Sequence, residues 1–397
     1  MYITTRFNGT IPDSIGNLPK LTHLDLAHNE LSGTFTPTIW NLSELLFFHL
    51  TGNQISGRIP PEIGQMTSLQ QFMVSDNFLN GSIPKEIGMC RALTMLFLNG
   101  NDLTGPITAS IGNLGNLSGL KLQGNKLSGS LPREIGNMSN LYHVQLEHNK
   151  LSGSLPREIG KLGNLNLLFL LNNTLSGSIP PEIGMMRSLT QLDLSINFLV
   201  GAIPASIGNL TELRQLYLYL NHISGSIPEE LGLLKHVFVV QLLDNSLSGP
   251  IPASIGKMVA LSDLKLNENQ LSGPIPTTIG NLTKLEILIL SQNKLSGSIP
   301  ASIGNLTKLD TLLLFQKNLS GSIPASIGNL TKLDTLGLLQ NKLSGPLPLE
   351  MNNLSNFKNL HLSFNNFTGQ LPQQICLTRL KCSVPSITIL QVLSQQA

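Results

Sequence analysis

One stretch of 24 residues decides the fold, and at positions 285–308 it reads Leu-Glu-Ile-Leu-Ile-Leu-Ser-Gln-Asn-Lys-Leu-Ser-Gly-Ser-Ile-Pro-Ala-Ser-Ile-Gly-Asn-Leu-Thr-Lys. The pattern returns every 24 residues, without an insertion or deletion, from Leu21 to Ile375. The copies serve as an internal alignment, so each column shows which residue type the structure requires there. Asparagine holds the column of Asn29 in every copy but one, and glycine holds every position of the column that begins at Gly9. The chain is therefore a tandem array of one small unit.

Each unit contains a short alternation such as Leu288-Ile289-Leu290, which predicts a strand with both leucines inward and the middle residue outward. One such strand cannot bury its own apolar face, so neighbouring coils must share one interior. A period of roughly 20–29 residues with the spacing L-x-x-L-x-L-x-x-N-x-L is the signature of a leucine-rich repeat. We expect an α/β, mainly β, solenoid with a parallel inner sheet, short second strands, and helical or 3-10 turns on the outer face.

The recurrent asparagine follows the strand, where the chain turns and its backbone groups become buried between coils. Its side-chain amide both donates and accepts hydrogen bonds, so we expect an asparagine ladder along the stack. Lys317 is the exception in this column, and there we predict a break in the ladder, a local backbone change and an outward lysine. The glycine of Leu-Ser-Gly permits a positive φ or a close backbone approach, and the glycine of Ile-Gly-Asn-Leu is expected to close the outer turn.

Length and composition indicate one continuous array. The chain has 397 residues, 41% hydrophobic and only 12% charged, because leucine columns and Ser/Asn/Gly-rich turns dominate. We predict a partial repeat at 1–20, a solenoid of 24-residue coils at 21–376 and an irregular tail at 377–397. The net charge of +2 predicts neither nucleic acid nor membrane contact. No apolar run reaches the ~20 residues that span a bilayer and no signal peptide begins the chain, so we interpret it as a segment of a longer protein.

Motifs for catalysis or metal binding are not found in the sequence. The eight histidines form no H-E-x-x-H motif or Cys/His cluster, and the serines recur in a turn column without a companion base at fixed spacing. We therefore predict no enzyme activity, no metal site and no cofactor. Cys90 replaces a leucine of the repeat and is expected to be a small buried thiol. Cys376 and Cys382 lie where the period ends, and whether they form a disulfide stays open.

The sequence contains thirteen Asn-x-Ser/Thr sequons. Seven of them share one column just after the predicted outer turn, namely Asn41, Asn137, Asn209, Asn281, Asn305, Asn329 and Asn353. One interpretation is that Asn-Leu-Thr simply recurs with the repeat. The other interpretation, which we favour for the column as a whole, is that glycans line one flank of a secreted protein.

Binding in this architecture must use positions that the repeat leaves free, which are the outward positions of the inner strands. In the column of Asp25 and three neighbouring columns the side chains vary while the scaffold does not, and acids outnumber lysines seven to two. Aromatic and apolar residues that we expect to be exposed, Ile289 among them, also concentrate there. From the middle coils we select these candidate ligand-binding residues: Phe97, His143, Gln145, Glu147, Phe169, Asp193, Tyr217, Tyr219 and Gln241.

Each type of candidate residue has an expected role. The aromatic side chains would act as anchors, and Asp193 or Glu147 would pair with a basic group of the ligand. Six of the eight histidines lie in the same four columns. We therefore expect binding to depend on pH between about 5 and 7, with His143 as the residue to replace in a test.

The run Leu-Ser-Gly-x-Ile-Pro-x-x-Ile-Gly-Asn-Leu in a 24-residue unit resembles the plant-specific leucine-rich repeat of receptor-like kinase and receptor-like protein ectodomains. Residues 365–376 resemble the passage that leads into a non-repeat island in receptor kinases of this group that perceive secreted peptides. The resemblance implies a right-handed solenoid at the extracellular face of the plasma membrane or in the apoplast. It also implies a secreted peptide or protein ligand on the concave face and a co-receptor kinase as a further partner. The island, a cysteine cap and a kinase domain are not found in this sequence.

Three hypotheses for function follow. The first is a ligand-binding ectodomain segment of such a receptor, acting in development or immunity signalling. The second is a secreted inhibitor of a cell-wall-degrading enzyme, similar to the plant polygalacturonase inhibitors, although those are shorter and carry cysteine caps. The third is an ice-binding solenoid, which requires a regular outward array of threonine or serine. The threonines at 211, 283, 307 and 331 are too sparse for such an array.

Overall fold

The computed structural model describes residues 6–371, so Cys376, Cys382 and the predicted tail at 377–397 lie outside the described residues. The described chain stacks fifteen coils, and each coil contributes one strand to each of two parallel sheets. We number the coils 1 to 15 by their inner strands. Within residues 6–371 every helical turn is a 3-10 turn. The mainly β solenoid is thereby confirmed, with 3-10 turns in place of α-helices.

The inner sheet takes one three-residue strand from each coil. In coil order its strands are His23–Asp25, Phe47–His49, Gln71–Met73, Met95–Phe97, Gly119–Lys121, His143–Gln145, Leu167–Phe169, Gln191–Asp193, Gln215–Tyr217, Val239–Gln241, Asp263–Lys265, Ile287–Ile289, Thr311–Leu313, Thr335–Gly337 and Asn359–His361. Neighbouring strands pair with an offset of one repeat, so that Leu264 lies beside Leu288. Each column of the sequence therefore becomes a row across the sheet.

The second sheet is built from the Leu-Ser-Gly run and has sixteen strands, one from the partial repeat before coil 1 and one from each of the fifteen coils. In chain order they are Asn8–Gly9, Glu30–Thr34, Gln54–Arg58, Phe78–Ser82, Asp102–Gly105, Lys126–Ser130, Lys150–Gly153, Thr174–Ser178, Phe198–Gly201, His222–Gly225, Ser246–Gly249, Gln270–Gly273, Lys294–Gly297, Asn318–Gly321, Lys342–Gly345 and Asn366–Phe367. The second residue of a strand such as Lys294–Gly297 is buried, and the first is exposed. This sheet therefore covers the core with one face and meets water with the other.

A five-residue 3-10 turn lies on the outer side of the partial repeat and of coils 1 to 14. The turns are Asp13–Asn17, Pro37–Asn41, Pro61–Gln65, Lys85–Met89, Ala109–Asn113, Arg133–Asn137, Arg157–Lys161, Pro181–Met185, Ala205–Asn209, Glu229–Leu233, Ala253–Lys257, Thr277–Asn281, Ala301–Asn305, Ala325–Asn329 and Leu349–Asn353. Pro300 shows how the turns begin: it is extended, at φ −69° and ψ 141°, and its carbonyl accepts a hydrogen bond from the Ile303 N–H at 3.0 Å. Proline suits this position because its fixed φ matches the required backbone and no donor is needed from it.

The leucine and isoleucine columns form one continuous core along the stack. Leu288 and Leu290 have no exposed surface, which confirms the predicted inward phase of the strand. Cys90 belongs to this core as a free thiol, and its Sγ donates to the Ile63 carbonyl at 3.1 Å. Burial raises the pKa of the Cys90 thiol to about 11, so the prediction of a buried structural cysteine is confirmed.

The asparagine ladder is present, and Asn197 shows its geometry. The Asn197 amide donates to the Leu170 carbonyl of the preceding coil at 3.0 Å, and to the carbonyls of Leu194 at 3.2 Å and Ser195 at 3.0 Å. Its Oδ1 accepts the N–H of Leu175, again in the preceding coil, at 3.0 Å. Each asparagine therefore satisfies its own turn and ties that turn to the coil before it.

The predicted break at Lys317 is confirmed, and the structure shows what replaces the ladder. Lys317 is exposed, while Gln316 beside it is buried, with 3% of its surface exposed. The Gln316 side chain donates to the Leu290 carbonyl and accepts the Asn293 N–H at 3.0 Å. The residue before the ladder position has a positive φ in the other fourteen coils but not at Gln316. A glutamine one residue earlier thus takes over part of the missing asparagine's role through a changed backbone.

The two glycine columns are required for different reasons. Gly201, in the Leu-Ser-Gly column, has a φ of +77°. Of the two reasons expected for this column, the positive φ is therefore the one that requires glycine. Gly208, in the Ile-Gly-Asn column, has no positive φ, and Asn209 rather than Gly208 is the last residue of its turn. The expectation that this glycine closes the turn is therefore wrong. A Cβ at Gly208 would lie 2.4 Å from the Glu230 carbonyl oxygen, so the column is glycine because the next coil's backbone packs against it.

Coil 1 departs from the repeat at its outer turn. Trp40 occupies the column that holds glycine in most coils, and its side chain is buried, with 2% of its surface exposed. The Trp40 ring packs edge-on against Phe35 at 5.1 Å and Phe48 at 6.4 Å, and Phe48 lies 5.6 Å from Phe72. An aromatic cluster therefore replaces the aliphatic packing near this end of the stack.

The ladder predicts a specific loss of stability. Replacement Asn197→Ala should lower the free energy of unfolding by about 1–3 kcal/mol, because two carbonyls of its own turn lose their partner, as do one carbonyl and one N–H of the preceding coil. Replacement Asn164→Ala is the control, since that exposed side chain makes one hydrogen bond, to the Ser139 carbonyl at 3.0 Å. The control should change stability by less than about 0.5 kcal/mol in urea unfolding. Equal losses in the two variants would contradict the structural role of the ladder.

Candidate ligand-binding site on the inner sheet

The strand register places most of the candidate residues in one row, which we call the inner row. In order from coil 4 to coil 11 it holds Phe97, Lys121, Gln145, Phe169, Asp193, Tyr217, Gln241 and Lys265. His143 begins the strand of coil 6, and Glu147 and Tyr219 follow the strands of coils 6 and 9. With neighbouring strands ~4.8 Å apart, the row from Phe97 to Gln241 is roughly 29 Å long. The structure therefore brings the sequence-selected residues together on one surface.

The aromatic ring at the beginning of the row, that of Phe97, is partly covered. Phe97 leans over Gly119, because a Cβ there would lie 3.0 Å from the Phe97 ring. The ammonium nitrogen of Lys121 lies 4.8 Å from the ring centroid of Phe97, in a cation–π contact. Burial, followed by the Lys121 charge, lowers the pKa of His143. His143 therefore stays neutral over more of the range between pH 5 and 7 than an ordinary histidine would.

Two acceptor oxygens in coils 5 and 6 have no donor. Glu147 is 9% exposed, and its Oε2 is buried without a hydrogen-bond partner, as is the Oε1 of Gln123 one coil earlier in the same column. Burial raises the pKa of Glu147, and the Asp193 charge adds to the rise, while the Glu147 backbone, Lys121 and Gln145 act against it. The pair therefore offers two unused acceptors, one on an amide and one on a carboxylate that is costly to keep charged.

Asp193 is engaged within its own coil. It is 8% exposed, and its Oδ1 accepts the Ser195 N–H at 3.0 Å and the Ser195 hydroxyl at 2.5 Å. Burial raises the pKa of Asp193, although the bonds from Ser195 and the charge of His148 lower it. Of the two acids selected from the sequence, Glu147 rather than Asp193 is therefore the one with an unpaired buried oxygen.

The far end of the row is a connected polar and aromatic group. The rings of Tyr217 and Tyr219 meet edge to face at 6.4 Å, and burial, followed by the charges of Asp193 and Asp263, raises the pKa of Tyr217. Gln241 donates through Nε2 to Asp263 Oδ2 at 2.8 Å, and the Lys265 ammonium lies 3.5 Å from the same oxygen. Burial still raises the pKa of Asp263. Gln241 is thus already hydrogen-bonded to Asp263, and Asp263 also forms an ion pair with Lys265.

Sequence reasoning missed four residues of this surface: Lys121, Gln123, Asp263 and Lys265. Their columns were recognised as variable, but the selection favoured aromatic side chains and the two acids. The signal that would have found them was available, because Lys121, Gln123 and Lys265 each lie one coil from a selected residue in the same row. Asp263 is on the same strand as Lys265, one coil after Gln241.

Beyond coil 11 the expectation of an exposed apolar surface is wrong. Ile289 is only 5% exposed, and its row neighbour Leu313 only 9%. A Cβ at Gly337 would lie 2.8 Å from Leu313 and 2.7 Å from Phe315, so both side chains fold over this glycine. The apolar residues of coils 12–14 therefore pack against one another, which excludes them from the candidate site.

The seven sequons of the shared column occupy equivalent, accessible positions. Each asparagine from Asn41 to Asn353 in that set is the last residue of a 3-10 turn, and each is exposed. The inner row lies on a different face of the coil. Glycans on this column would therefore leave the candidate site uncovered.

Two features are absent from the part of the chain that the structure describes. Between residues 6 and 371 the structure contains no helix that is long and apolar enough to cross a bilayer. Within that stretch, no group of three or more His, Cys, Asp or Glu side chains converges in a way that could hold a metal ion.

Two family models match the chain. The one described as Leucine-rich repeat region matches residues 233–397, and the one described as Leucine Rich Repeat matches 20–42, 44–66, 116–138, 140–162, 188–210 and 212–234. The comparison with curated protein sequences gives no match. The chain belongs to the leucine-rich repeat family.

Solved structures place plant hormone receptors among its neighbours. The HAESA receptor kinase ectodomain of Arabidopsis, in complex with an IDA peptide hormone, is 38% identical with a TM-score of 0.86, covering 92% of this chain and 61% of its own. The plant peptide hormone receptor RGFR1, in complex with RGF2, is 33% identical with a TM-score of 0.77, covering 93% of this chain and 67% of its own. A further match is HAESA with IDA and the co-receptor SERK1, at 29% identity and a TM-score of 0.63 over 94% and 75%.

A bacterial protein is also similar. A leucine-rich repeat protein of Leptospira interrogans is 34% identical with a TM-score of 0.72, covering 94% of this chain and 92% of its own. By contrast, the chain spans about two thirds or less of the HAESA and RGFR1 chains in the peptide complexes. The architecture is therefore shared with peptide-binding plant ectodomains, while the activity of a longer receptor is a separate question.

The raised pKa of Glu147 predicts how stability depends on pH. A carboxyl with a higher pKa in the folded state favours its protonated form there, so stability falls as pH rises from the ordinary value of 4.5 through the raised value. Replacement Glu147→Gln should remove the contribution of this carboxyl to the pH dependence of stability. The free energy of unfolding of the variant should exceed that of the native chain at pH 7, and the excess should shrink as pH falls from the raised value to the ordinary value of 4.5. The measurement is urea unfolding at several pH values.

Glu134→Gln is the matched control for this experiment. A hydrogen bond from its own backbone, followed by that from Arg133, lowers the pKa of the partly exposed Glu134, so its replacement should have an effect of opposite sign. A Glu147→Gln variant that is less stable than the native chain at pH 7 would show that the carboxylate is stabilised by a partner.

The exposed column of sequons predicts a pattern of glycosylation. When the chain is secreted from plant cells, all seven asparagines of the column should carry glycans, because each is exposed at the end of an equivalent turn. Peptide mass spectrometry after enzymatic deglycosylation in heavy-oxygen water would identify the occupied sites. Unmodified asparagines throughout this column would favour the interpretation that the tripeptide only recurs with the repeat.

Proposed function

We propose that this chain is an extracellular ligand-recognition segment of a plant receptor-like kinase or receptor-like protein, and that it catalyses no reaction itself. Its ligand is a secreted peptide or protein that binds along the inner row. The proposal is supported by membership in the leucine-rich repeat family and by similarity to ectodomains whose structures contain peptide hormones. A co-receptor kinase is a further proposed partner, since the similar HAESA ectodomain is found with SERK1.

The observation that carries the proposal is the pair of unused acceptors at Gln123 and Glu147. A buried acceptor without a donor costs about 1–3 kcal/mol, and a native surface that keeps two of them side by side is suited to a partner with donors. Phe97 lies one coil before Gln123, and Phe169 lies one coil after Glu147. The ligand should therefore present an ammonium or guanidinium group close to apolar side chains.

The length of the row limits the form of the ligand. An extended peptide advances about 3.3 Å per residue, so the roughly 29 Å between Phe97 and Gln241 would hold about nine residues. The basic residue would lie near the Phe97 end, over coils 5 and 6. The other end would lie against Tyr217 and Tyr219, whose edge-to-face pair offers an apolar and hydrogen-bonding surface.

A displayed library of random nonapeptides, selected against the purified chain, tests this function. Enriched peptides should contain lysine or arginine beside aromatic or aliphatic residues. Simultaneous replacement of Phe169, Asp193 and Tyr217 by alanine should weaken their binding at least about a hundredfold, because two anchors and one acid are removed from the row. The variant His49→Ala with Met73→Ala is the control, since both positions lie in the same row in coils 2 and 3. It should bind with native affinity.

Two further variants separate the parts of the proposal. Phe169→Ala with Tyr217→Ala keeps the bonds between Asp193 and Ser195, so it serves if the triple variant does not fold. Glu147→Gln should abolish the preference for lysine and arginine without abolishing all binding. Native affinity in the triple variant would remove the site assignment, and an unchanged basic preference in Glu147→Gln would remove the role of Glu147.

A further inference from the structure

Coil 8 departs from the repeat on the second sheet, away from the inner row. Its second strand, Phe198–Gly201, has apolar residues at the outward positions Phe198 and Val200, and the next outward residue is Ala202. The corresponding positions of the other coils hold mostly polar or charged residues, with serine predominant in the column of Val200. In no other coil are all three positions apolar. The departure is therefore a feature of one coil rather than of the repeat.

The apolar side chains of coil 8 are exposed although their strand pairs with both neighbouring strands of the second sheet. Phe198 is 53% exposed and Val200 45% exposed, while Leu199 between them is completely buried in the core. Val200 lies opposite His222 of the next coil, and the rings of Phe198 and His222 are 6.0 Å apart. On the other side, Phe198 lies opposite Ser176. Exposed apolar surface of this kind adds nothing to the core and is typical of contact sites.

The distribution of sequons leaves this surface open. On the outward positions of the second sheet, sequons occur at Asn8, Asn80, Asn318 and Asn366, and none occurs in coils 4 to 12. Of the sequons in coils 7 and 8, Asn172 lies in the turn before the second strand of coil 7, where its amide contacts His148 at 2.8 Å, and Asn209 lies at the end of the outer turn of coil 8. Phe78 of coil 3 is a useful comparison, because it is 58% exposed but has the sequon Asn80 on the same strand.

The surroundings indicate what could cover the patch. The outward positions of the two flanking coils are Thr174, Ser176, Ser178, His222, Ser224 and Ser226, so no carboxylate or ammonium group borders it on the second sheet. Two or three side chains also offer far less than the ~800 Å² per partner of a standard protein interface, which argues against a second copy of the chain. We propose that a short, uncharged apolar segment of a second protein docks on the second sheet at coils 7–9, centred on Phe198 and Val200. This surface is separate from the inner row and does not depend on the ligand proposed there.

The test uses a fluorescent peptide with the core Leu-Phe-Val-Leu between Gly-Ser flanks, and a second peptide with aspartates in both flanks. The native chain should bind the uncharged probe more tightly than the charged one. Phe198→Lys with Val200→Ser should weaken binding at least tenfold, because about one aromatic side chain of buried apolar area is lost. These replacements restore residue types that other coils carry in the same columns, so the variant is expected to fold. Phe78→Lys, the matched control, should bind the probe like the native chain.

Engineered glycans give a second measurement that leaves Phe198 and Val200 in place. Ser176→Asn creates an Asn-Gly-Ser sequon opposite Phe198, the tripeptide that positions 80–82 already contain, and Ser296→Asn creates the same sequon in coil 12. In protein secreted from plant cells, the glycan at position 176 should block the probe, and the glycan at 296 should leave binding unchanged.

Three results would overturn the proposal. Equal probe binding by the native chain and by Phe198→Lys with Val200→Ser would remove the patch as the docking site. Tighter binding of the aspartate-flanked probe would contradict the uncharged partner. Sedimentation that shows a dimer of the native chain, lost in the double variant, would make a second copy the occupant. The triple alanine variant of the inner row should still bind the probe, so failure here is distinguishable from failure of the proposed ligand site.

Discussion

The hydrogen bonds from the recurrent asparagine to the backbone of the preceding coil are the interaction on which the rest of the structure depends. Asn197 links its own turn to both Leu170 and Leu175, so one side chain sets the distance and the register between two coils. Because these contacts recur in most coils, the inner strands pair with a constant offset and their side chains form straight rows. The ladder carries this order without using any side chain of the inner row, which leaves that row free to vary.

The strength of this constraint is visible in the backbone beside it. The residue before the ladder asparagine has a positive φ, and in coil 8 that residue is the β-branched Ile196, at 53°. Such a conformation is a genuine outlier for isoleucine and costs on the order of 1–3 kcal/mol. It persists because hydrogen bonds hold the turn on both sides: the Ile196 N–H donates to the Tyr219 carbonyl, and the Asn173 N–H donates to the Ile196 carbonyl. At Gln316, where the ladder asparagine is replaced, the positive φ is lost as well.

The sequence was informative wherever a rule repeats every coil. The inward phase of Leu288 and Leu290, the buried Cys90 and the outward Lys317 all follow from columns that can be compared with their own copies. It was less informative where a side chain depends on a neighbour one coil away. Nothing in the composition of a column shows that Leu313 and Phe315 fold over Gly337, or that Ser195 occupies the carboxylate of Asp193. The rows were predictable, but the contacts within them were not.

Departures from the repeat therefore divide into two kinds, and burial separates them. Trp40 and Phe35 replace smaller residues but are buried in one aromatic cluster, so they repack the core at one end of the stack. Phe198 and Val200 also replace the usual residues, yet they remain half exposed and leave the core beneath them unchanged. The first kind lowers the free energy of the folded chain by itself. The second kind adds nothing to the buried core, which is why the apolar patch of coil 8 and the open acceptors at Glu147 are proposed as contact surfaces.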